Sequence, residues 1–405
     1  DDILCNPTYN RFQAVSNRTE ILEKISAYTG IKYSSYTNLY ILFLIKSIFQ
    51  MSNNSRLAYI IPSEFLNSKY GVAIKKLMIE KRLLKSIINF RKDKDLFFNA
   101  TTTCCILLLD KKEKEEISFY NLNSINQLEK PMSMVFENEN HISVKYDDIN
   151  PNEKWRLYLY HEETVSYNNL INLSNFCVVS RGIATGANDF YCFNKTKIRE
   201  KNIPDFYFEK CICRSADVKS IIFTENDFNA LAEQDKMVYL LDIKDGLTEE
   251  IKEYIRQGEE EGVNNKYLPA SRVPWYTIEQ KKPAPIWVSS ACRDKIKFVR
   301  NLLGIKTLTT FHSVYVRKEY EEYTDLIFCY FLTPIAQTIL KENRKELGNG
   351  LEKFQPNDLN SALMLDVTLI SSEDCEKIMS IYHSLATTIT DTELNILNDI
   401  FLKYL

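Results

Sequence analysis

The chain opens on a short apolar run, Ile3-Leu4-Cys5, cut off by Asn6-Pro7-Thr8-Tyr9. That pattern reads as a strand delivering an amide, a rigid turn and an aromatic ring to one place. Residues 19–28 and 36–51 read as helices, the second with Leu39, Phe43, Ile45, Ile48 and Phe49 at near-helical spacing. Leu57-Ala58-Tyr59-Ile60-Ile61 is a buried strand stopped by Pro62, and Val72 to Leu84 is an amphipathic helix. Ile87 to Phe90 is the next strand. Thr103 to Leu109 is a continuous apolar run, hence a central strand, ended by Asp110 and the Lys/Glu run 111–116. This order predicts a mostly parallel sheet with helices on its faces.

From about residue 114 the pattern changes. Polar, Asn-rich stretches at 121–127 and 137–150 separate short strands, and the helix–strand alternation is lost until roughly 245. Residues 247–260, 294–303 and 325–343 read as helices, and 373–404 hold one or two more. The second region is therefore mixed and irregular, without repeats.

At 405 residues the chain is expected to hold two or three domains. Its net charge of −3 excludes a uniformly basic nucleic-acid binder, so any such binding must come from local patches. No apolar run reaches membrane-span length and no signal peptide opens the chain, which points to a cytoplasmic protein. The ten cysteines show no paired framework and fit reduced packing residues. His141, His161, His312 and His383 have no metal-ligand spacing, and His161-Glu162-Glu163 reads as a polar turn. Pro204-Asp205 with Glu209-Lys210 lacks the spacing of a nuclease carboxylate set. There is no glycine-rich phosphate loop.

Asn6-Pro7-Thr8-Tyr9 resembles the Asn-Pro-Pro-Tyr motif of amino-methyltransferases, above all the N6-adenine DNA methyltransferases, with Thr8 where the second proline stands. The exocyclic amine of adenine is a poor nucleophile because its lone pair is delocalised into the ring. The resemblance implies that the Asn6 amide oxygen and the Pro7 carbonyl hold the amine hydrogens, and that Tyr9 stacks on a flipped-out base. The plain alternative is an Asn-Pro turn closing a strand, with Tyr9 as packing.

The order of later segments extends the resemblance to Taq I-type, gamma-class enzymes over nearly the whole chain. Asn38-Leu39-Tyr40 resembles the helix start near the methyl donor, and Leu57 to Phe65 resembles the next strand with its Pro-Ser turn. Leu96 to Thr101 resembles the loop placing a second aromatic on the target base; Phe97 aligns best, Phe98 is the alternative. Ser180 to Asn188, Pro274-Trp275-Tyr276 with Pro283 to Ile286, Asn301 to His312 and Gly348 to Lys353 resemble parts of a target-recognition domain. The expected fold class is α/β: the second half of a Rossmann-like methyltransferase sheet followed by a mixed α+β target-recognition domain. The expected division is 1–115 catalytic, 116–165 connecting, 166–320 recognition and 321–405 a helical C-terminal part.

Two clusters of basic residues are candidates for phosphate and base contacts. One holds Lys195, Lys197, Arg199, Lys201, Lys210 and Arg214; the other holds Lys281, Lys282, Arg293, Lys295, Lys297 and Arg300. Tyr191, Phe193, Tyr207, Trp275, Tyr276 and Trp287 are interleaved with them, and Arg181 lies in a glycine-flanked loop. For a single lysine the ordinary reading is a solvated surface.

Two departures from the family pattern matter. The family's donor-binding glycine-rich loop would lie before Asp1, so an upstream segment or a partner chain is expected to complete the sheet. Thr8 restores a backbone N–H and freedom in φ where proline would stiffen the turn. The resemblance implies a site-specific adenine-N6 methyltransferase acting on double-stranded DNA, with S-adenosyl-L-methionine as donor and a restriction endonuclease as possible partner. The rival is a degenerate or split subunit that recognises DNA without catalysis. A protein-glutamine or RNA methyltransferase, or a fused restriction-and-modification enzyme, are further alternatives.

Overall fold

A computed structural model describes residues 2–9, 17–90, 104–122, 128, 141–159, 167–244, 246–292, 295–341, 345–347, 351–385 and 388–405. The chain divides into two compact units: Asp1–Ser166 with Lys345–Leu351, and Tyr167–Arg344 with Glu352–Leu405.

The first unit is built on a sheet of six strands. In chain order its elements are β1 (Ile3–Cys5), α1 (Arg18–Thr29), α2 (Leu39–Gln50), β2 (Arg56–Pro62), α3 (Gly71–Glu80), β3 (Leu84–Phe90), β4 (Cys104–Asp110), β5 (Glu116–Leu122) and β6 (His141–Lys145). The strand order is β1-β2-β4-β3-β5-β6. β1 runs parallel to β2 with Cys5 opposite Tyr59, and β3 runs parallel to β5. β4 is antiparallel to both β2 and β3, and β6 is antiparallel to β5. The sheet is therefore mixed, not mostly parallel as the strand–helix order predicts. A direct antiparallel neighbour needs no crossover helix, and β3 and β4 follow one another in this way. The consequence for function is topological: the C-terminal ends of β1, β2 and β3 and the N-terminal end of β4 share one edge of the sheet.

Alternation along β2 sends Leu57, Tyr59 and Ile61 to one face, where they pack with Ile41, Leu44, Ile45 and Ile48 of α2. Ile60 lies on the other face with Ile88, Cys104, Ile106 and Tyr120. Burying each such aliphatic side chain of α2 stabilises the unit by about 1.5–3 kcal/mol, more than the helix's intrinsic propensity supplies. The helix expected over 72–84 stops at Glu80, and Arg82 takes φ 45° before β3 begins. Lys75 on α3 is fully buried; its ammonium donates to Leu66 O (3.0 Å) and Glu153 O (2.7 Å) and lies 5.3 Å from the Trp155 ring centroid. Burial pulls its pKa down to about 8.

The second unit contains a five-stranded sheet in the order Ile222–Phe223, Phe298–Asn301, Ile286–Ser289, Phe311–Val316, Cys177–Arg181. A four-stranded sheet runs Lys306–Thr307, Phe208–Ile212, Tyr239–Leu241, Cys192–Phe193. Leu326 to Phe331 are all buried, and Phe331 stacks on Phe298 at 4.6 Å between centroids.

Three expectations for this region fail. Residues 294–303 are not a helix: Phe298–Asn301 is a strand whose two faces are both covered, so no alternation shows in its sequence. The single helix over 325–343 is two, Thr324–Leu332 and Pro334–Lys341. Pro334 cannot donate to the preceding turn, and the Thr333 hydroxyl donates to Tyr330 O and accepts from Ala336 N–H. Helices Lys195–Lys201 and Glu225–Glu233 occupy the stretch read as lacking them. The Thr224/Asp227 capping box was the available signal for the second. Among the described residues no helix is long and apolar enough to cross a membrane, and no cluster of His, Cys, Asp or Glu could hold a metal ion.

Candidate active site and nucleic-acid interface

Asn6 to Tyr9 leave the end of β1 at the shared sheet edge. Pro7 is buried, Asn6 and Thr8 are exposed, and Tyr9 is half-buried. The Tyr9 hydroxyl donates to Asn6 Oδ1 at 2.7 Å and lies 3.1 Å from Ile60 O. Its ring meets Tyr40 edge-on at 6.4 Å. Burial, with Cys104 and Cys105 nearby, pushes the Tyr9 phenol up to about 12, so it remains a neutral hydrogen-bond donor across the physiological range.

α2 brings the other candidates to the same place. Asn38 is its N-cap, and Leu39 and Tyr40 form its first turn. Asn38 Nδ2 donates to the Tyr70 hydroxyl (3.3 Å), which lies 2.9 Å from the Tyr40 hydroxyl. Burial raises both phenols, Tyr70 to about 12. Tyr70 was not singled out by the sequence, because its role depends on partners 30 and 32 residues away. Phe97 and Phe98 lie outside the described residues. The strand ends that bracket them, Phe90 and Cys104, are at the sheet edge that carries Asn6.

In the second unit the basic candidates separate into anchored and available side chains. Lys197 is turned inward: its ammonium donates to Asp189 O and to Cys192 O (3.0 Å) and lies 3.9 Å from the Phe193 centroid. These backbone bonds hold the ammonium that the sequence offered for a phosphate contact. Lys281 reaches Arg181 O (2.5 Å), and Lys297 bonds Val218 O with its pKa drawn down to about 8 by burial. Arg300 is tied to Asp325 (2.6 Å) and Pro285 O (2.9 Å). Lys210 pairs with Glu225 at 3.3 Å, and Lys201 with Gln257 at 3.2 Å. Arg181, Arg199, Arg214 and Lys282 are exposed, and Lys195 is half-buried. The Lys281–Arg181 bond brings Arg181 beside 281–282. Arg293 lies outside the described residues. Of the interleaved aromatics, Tyr191, Phe193, Tyr207 and Trp287 are core; Trp275 and Tyr276 are half-buried. His312 is a core residue whose Nε2 lies 2.9 Å from Phe354 O.

The loop after Arg181 is fixed mainly through its backbone. A Cβ on Gly182 would lie 2.2 Å from Leu308 O, so only glycine allows this approach. Gly186 has φ +78°, and its Cα faces Leu268 and Pro269. Arg272 donates to Ala184 O (2.5 Å), Thr185 O (3.1 Å) and Thr277 O (3.0 Å). No local signal marked Arg272, because two of its acceptors lie 87 and 88 residues away.

Residues 153–399 match the C-terminal domain of the type II methyltransferase M.Eco57I, and residues 1–97 match the Eco57I restriction-modification methylase model. The type II methyltransferase M.AccI of Acinetobacter calcoaceticus is 39% identical over 97% of this chain and 74% of its own length. The restriction enzyme and methyltransferase RM.Eco57I of Escherichia coli is 26% identical over 52% of this chain and 21% of its own. The solved structure of the type IIL restriction-modification enzyme MmeI in complex with DNA has a TM-score of 0.60 at 13% identity. It is matched over all of this chain and 53% of MmeI, a likeness of fold alone. The mixed α/β architecture is thus that of restriction-modification methyltransferases. The chain belongs to the type II restriction-modification methyltransferase family of the Eco57I type.

Proposed function

We propose that this chain forms the target-binding and recognition part of a DNA methyltransferase that modifies adenine N6 in double-stranded DNA after flipping the base. The observation that carries the reading is the placement of Asn6, Pro7 and Tyr9 at the end of β1, with Tyr9 hydrogen-bonded to Asn6 and braced by Tyr40. Family membership supports methyl transfer to DNA; the adenine specificity rests on the chemistry of the motif.

In this reading Asn6 Oδ1 and the Pro7 carbonyl accept the two amine hydrogens and turn the lone pair out of the ring plane. The Tyr9 ring gives the extrahelical base an aromatic face, and Phe97 supplies a second one. The strand ends bracketing Phe97 support that role. No covalent enzyme intermediate is needed, and the amine proton leaves after transfer. S-adenosyl-L-methionine, when bound, supplies an electrophilic methyl group. The half-buried Asn38 amide and the Tyr40–Tyr70 hydroxyl pair, beside the end of β1, offer polar groups that fit the donor's amino-acid moiety. Arg181, Lys195, Arg199, Arg214 and Lys282 are proposed phosphate or base contacts, with Lys210 and Lys281 as further candidates and Arg293 a candidate from its sequence alone. A restriction endonuclease is the proposed functional partner.

The test is transfer of labelled methyl from S-adenosylmethionine to unmethylated duplex DNA by the native protein with whatever copurifies. Label at adenine N6 that is lost in Asn6→Ala establishes the enzyme. DNA binding without label would leave a recognition subunit.

A further inference from the structure

The acceptor that the target amine would use already has one of its two lone pairs engaged. Asn6 Oδ1 receives the Tyr9 hydroxyl at 2.7 Å. Asn6 is exposed, so its amide is otherwise open to an incoming group. The same hydroxyl has a second acceptor, Ile60 O, 3.1 Å away at the end of β2. One phenolic proton cannot satisfy both oxygens fully, and the shorter contact is to Asn6. The Tyr9 ring is held edge-on by Tyr40, so the hydroxyl moves between these acceptors by a small shift of the ring, not by leaving the site.

We propose that the Tyr9 hydroxyl is a latch on Asn6: it occupies the amine acceptor until a base bearing an exocyclic amine arrives, then passes to Ile60 O. The proposal rests on the reading of Asn6 as the amine acceptor. It gives Tyr9 two separable parts, a ring that stacks and a hydroxyl that competes with the target. A base without the amine gains nothing from displacing the hydroxyl, so the latch favours amine-bearing bases over the rest. Because Ile60 O receives the displaced proton, release is inexpensive, and the hydroxyl weakens target binding by only about two- to fivefold.

Tyr9→Phe keeps the ring and removes the latch. The full protein is titrated with adenosine and with purine riboside, which lacks the amine, by ligand-observed NMR with excess S-adenosylhomocysteine filling the donor site. Wild type, Tyr9→Phe, Asn6→Ala and the double variant are compared, each checked for an unchanged melting temperature. Methyl transfer to genomic DNA is measured on the first two. The latch predicts that Tyr9→Phe binds adenosine about two- to fivefold tighter, with purine riboside unchanged and the gain absent in the Asn6→Ala background. It also predicts a lower KM for DNA. Equal or weaker adenosine binding by Tyr9→Phe, or equal gains for both nucleosides, would overturn it. Absence of methyl transfer by wild type would remove the proposed function, while the nucleoside cycle would still decide the latch.

Discussion

Replacing Arg272 tests whether the loop after Arg181 owes its position to one side chain. The guanidinium donates to three carbonyls, those of Ala184, Thr185 and Thr277, and lies 5.9 Å from the Tyr191 ring centroid. Each charge-assisted bond contributes about 1.5–3 kcal/mol net. The sum is an upper bound, because the bonds share one donor group and water can reach part of the vacated site. Freed side-chain entropy offsets about 2 kcal/mol more. Arg272→Ala is therefore expected to destabilise the second unit by about 3 kcal/mol. Arg272→Lys keeps the charge but not the planar fork, and about half that loss is expected.

The assay is urea unfolding followed by tryptophan fluorescence in a Trp155→Phe background, where the remaining tryptophans, Trp275 and Trp287, both lie in the second unit. A midpoint shift worth less than about 0.5 kcal/mol in Arg272→Ala would refute the reasoning, because that is the scale of an ordinary surface substitution. Under conditions where Arg272→Lys is fully folded, DNA retention should also fall if the loop meets DNA as proposed.

Other outcomes follow from the same geometry. Asn6→Ala should lower methyl transfer by about 10²–10³-fold, the range for losing one preorganised polar group, with the fold intact by circular dichroism. Lys75 has a folded pKa of about 8 against an ordinary 10.5, so the unfolded chain binds more protons between those values. Its contribution to stability is thus least favourable below pH 8 and rises toward pH 10.5; urea melts at pH 7.5 and 9.5 should show wild type gaining about 2 kcal/mol relative to Lys75→Met. Gly182→Ala should cost about 2–3 kcal/mol, since its Cβ meets backbone at 2.2 Å, whereas Gly246→Ala, at φ +84° in open space, should cost about 1–2 kcal/mol by thermal melting. Arg199→Gln or Lys282→Gln should each flatten the salt dependence of DNA binding by about one unit of slope, while Lys197→Gln should leave the slope unchanged and lower stability instead.

The opening motif, β2 and β4 were legible because each is a continuous apolar run closed by a proline or a charge, a pattern with one structural meaning. The direction of β4 was not, since an apolar run carries no sign of orientation. Phe298–Asn301 was misread because a strand covered on both faces loses its alternation, and the break at Thr333 because the apolar pattern runs through Pro334. Of the candidate site, Asn6 and Tyr9 were visible through local order. Tyr70, Lys75 and Arg272 were hidden because each acts through bonds to distant segments. Among the lysines, sequence could not separate Lys197, spent on carbonyls, from Lys282, which is exposed.

Main-chain anchoring of the loop after Arg181 divides labour between frame and cargo. Gly182, Gly186 and Arg272 fix where the backbone runs, and Asn188 Oδ1 accepts the Thr185 hydroxyl inside the loop, yet none of these contacts uses the exposed side chain of Arg181. That position can be rewritten without moving the loop that displays it. A library confined to exposed loop positions, with these four anchors held constant, is therefore the economical place to search for altered sequence preference.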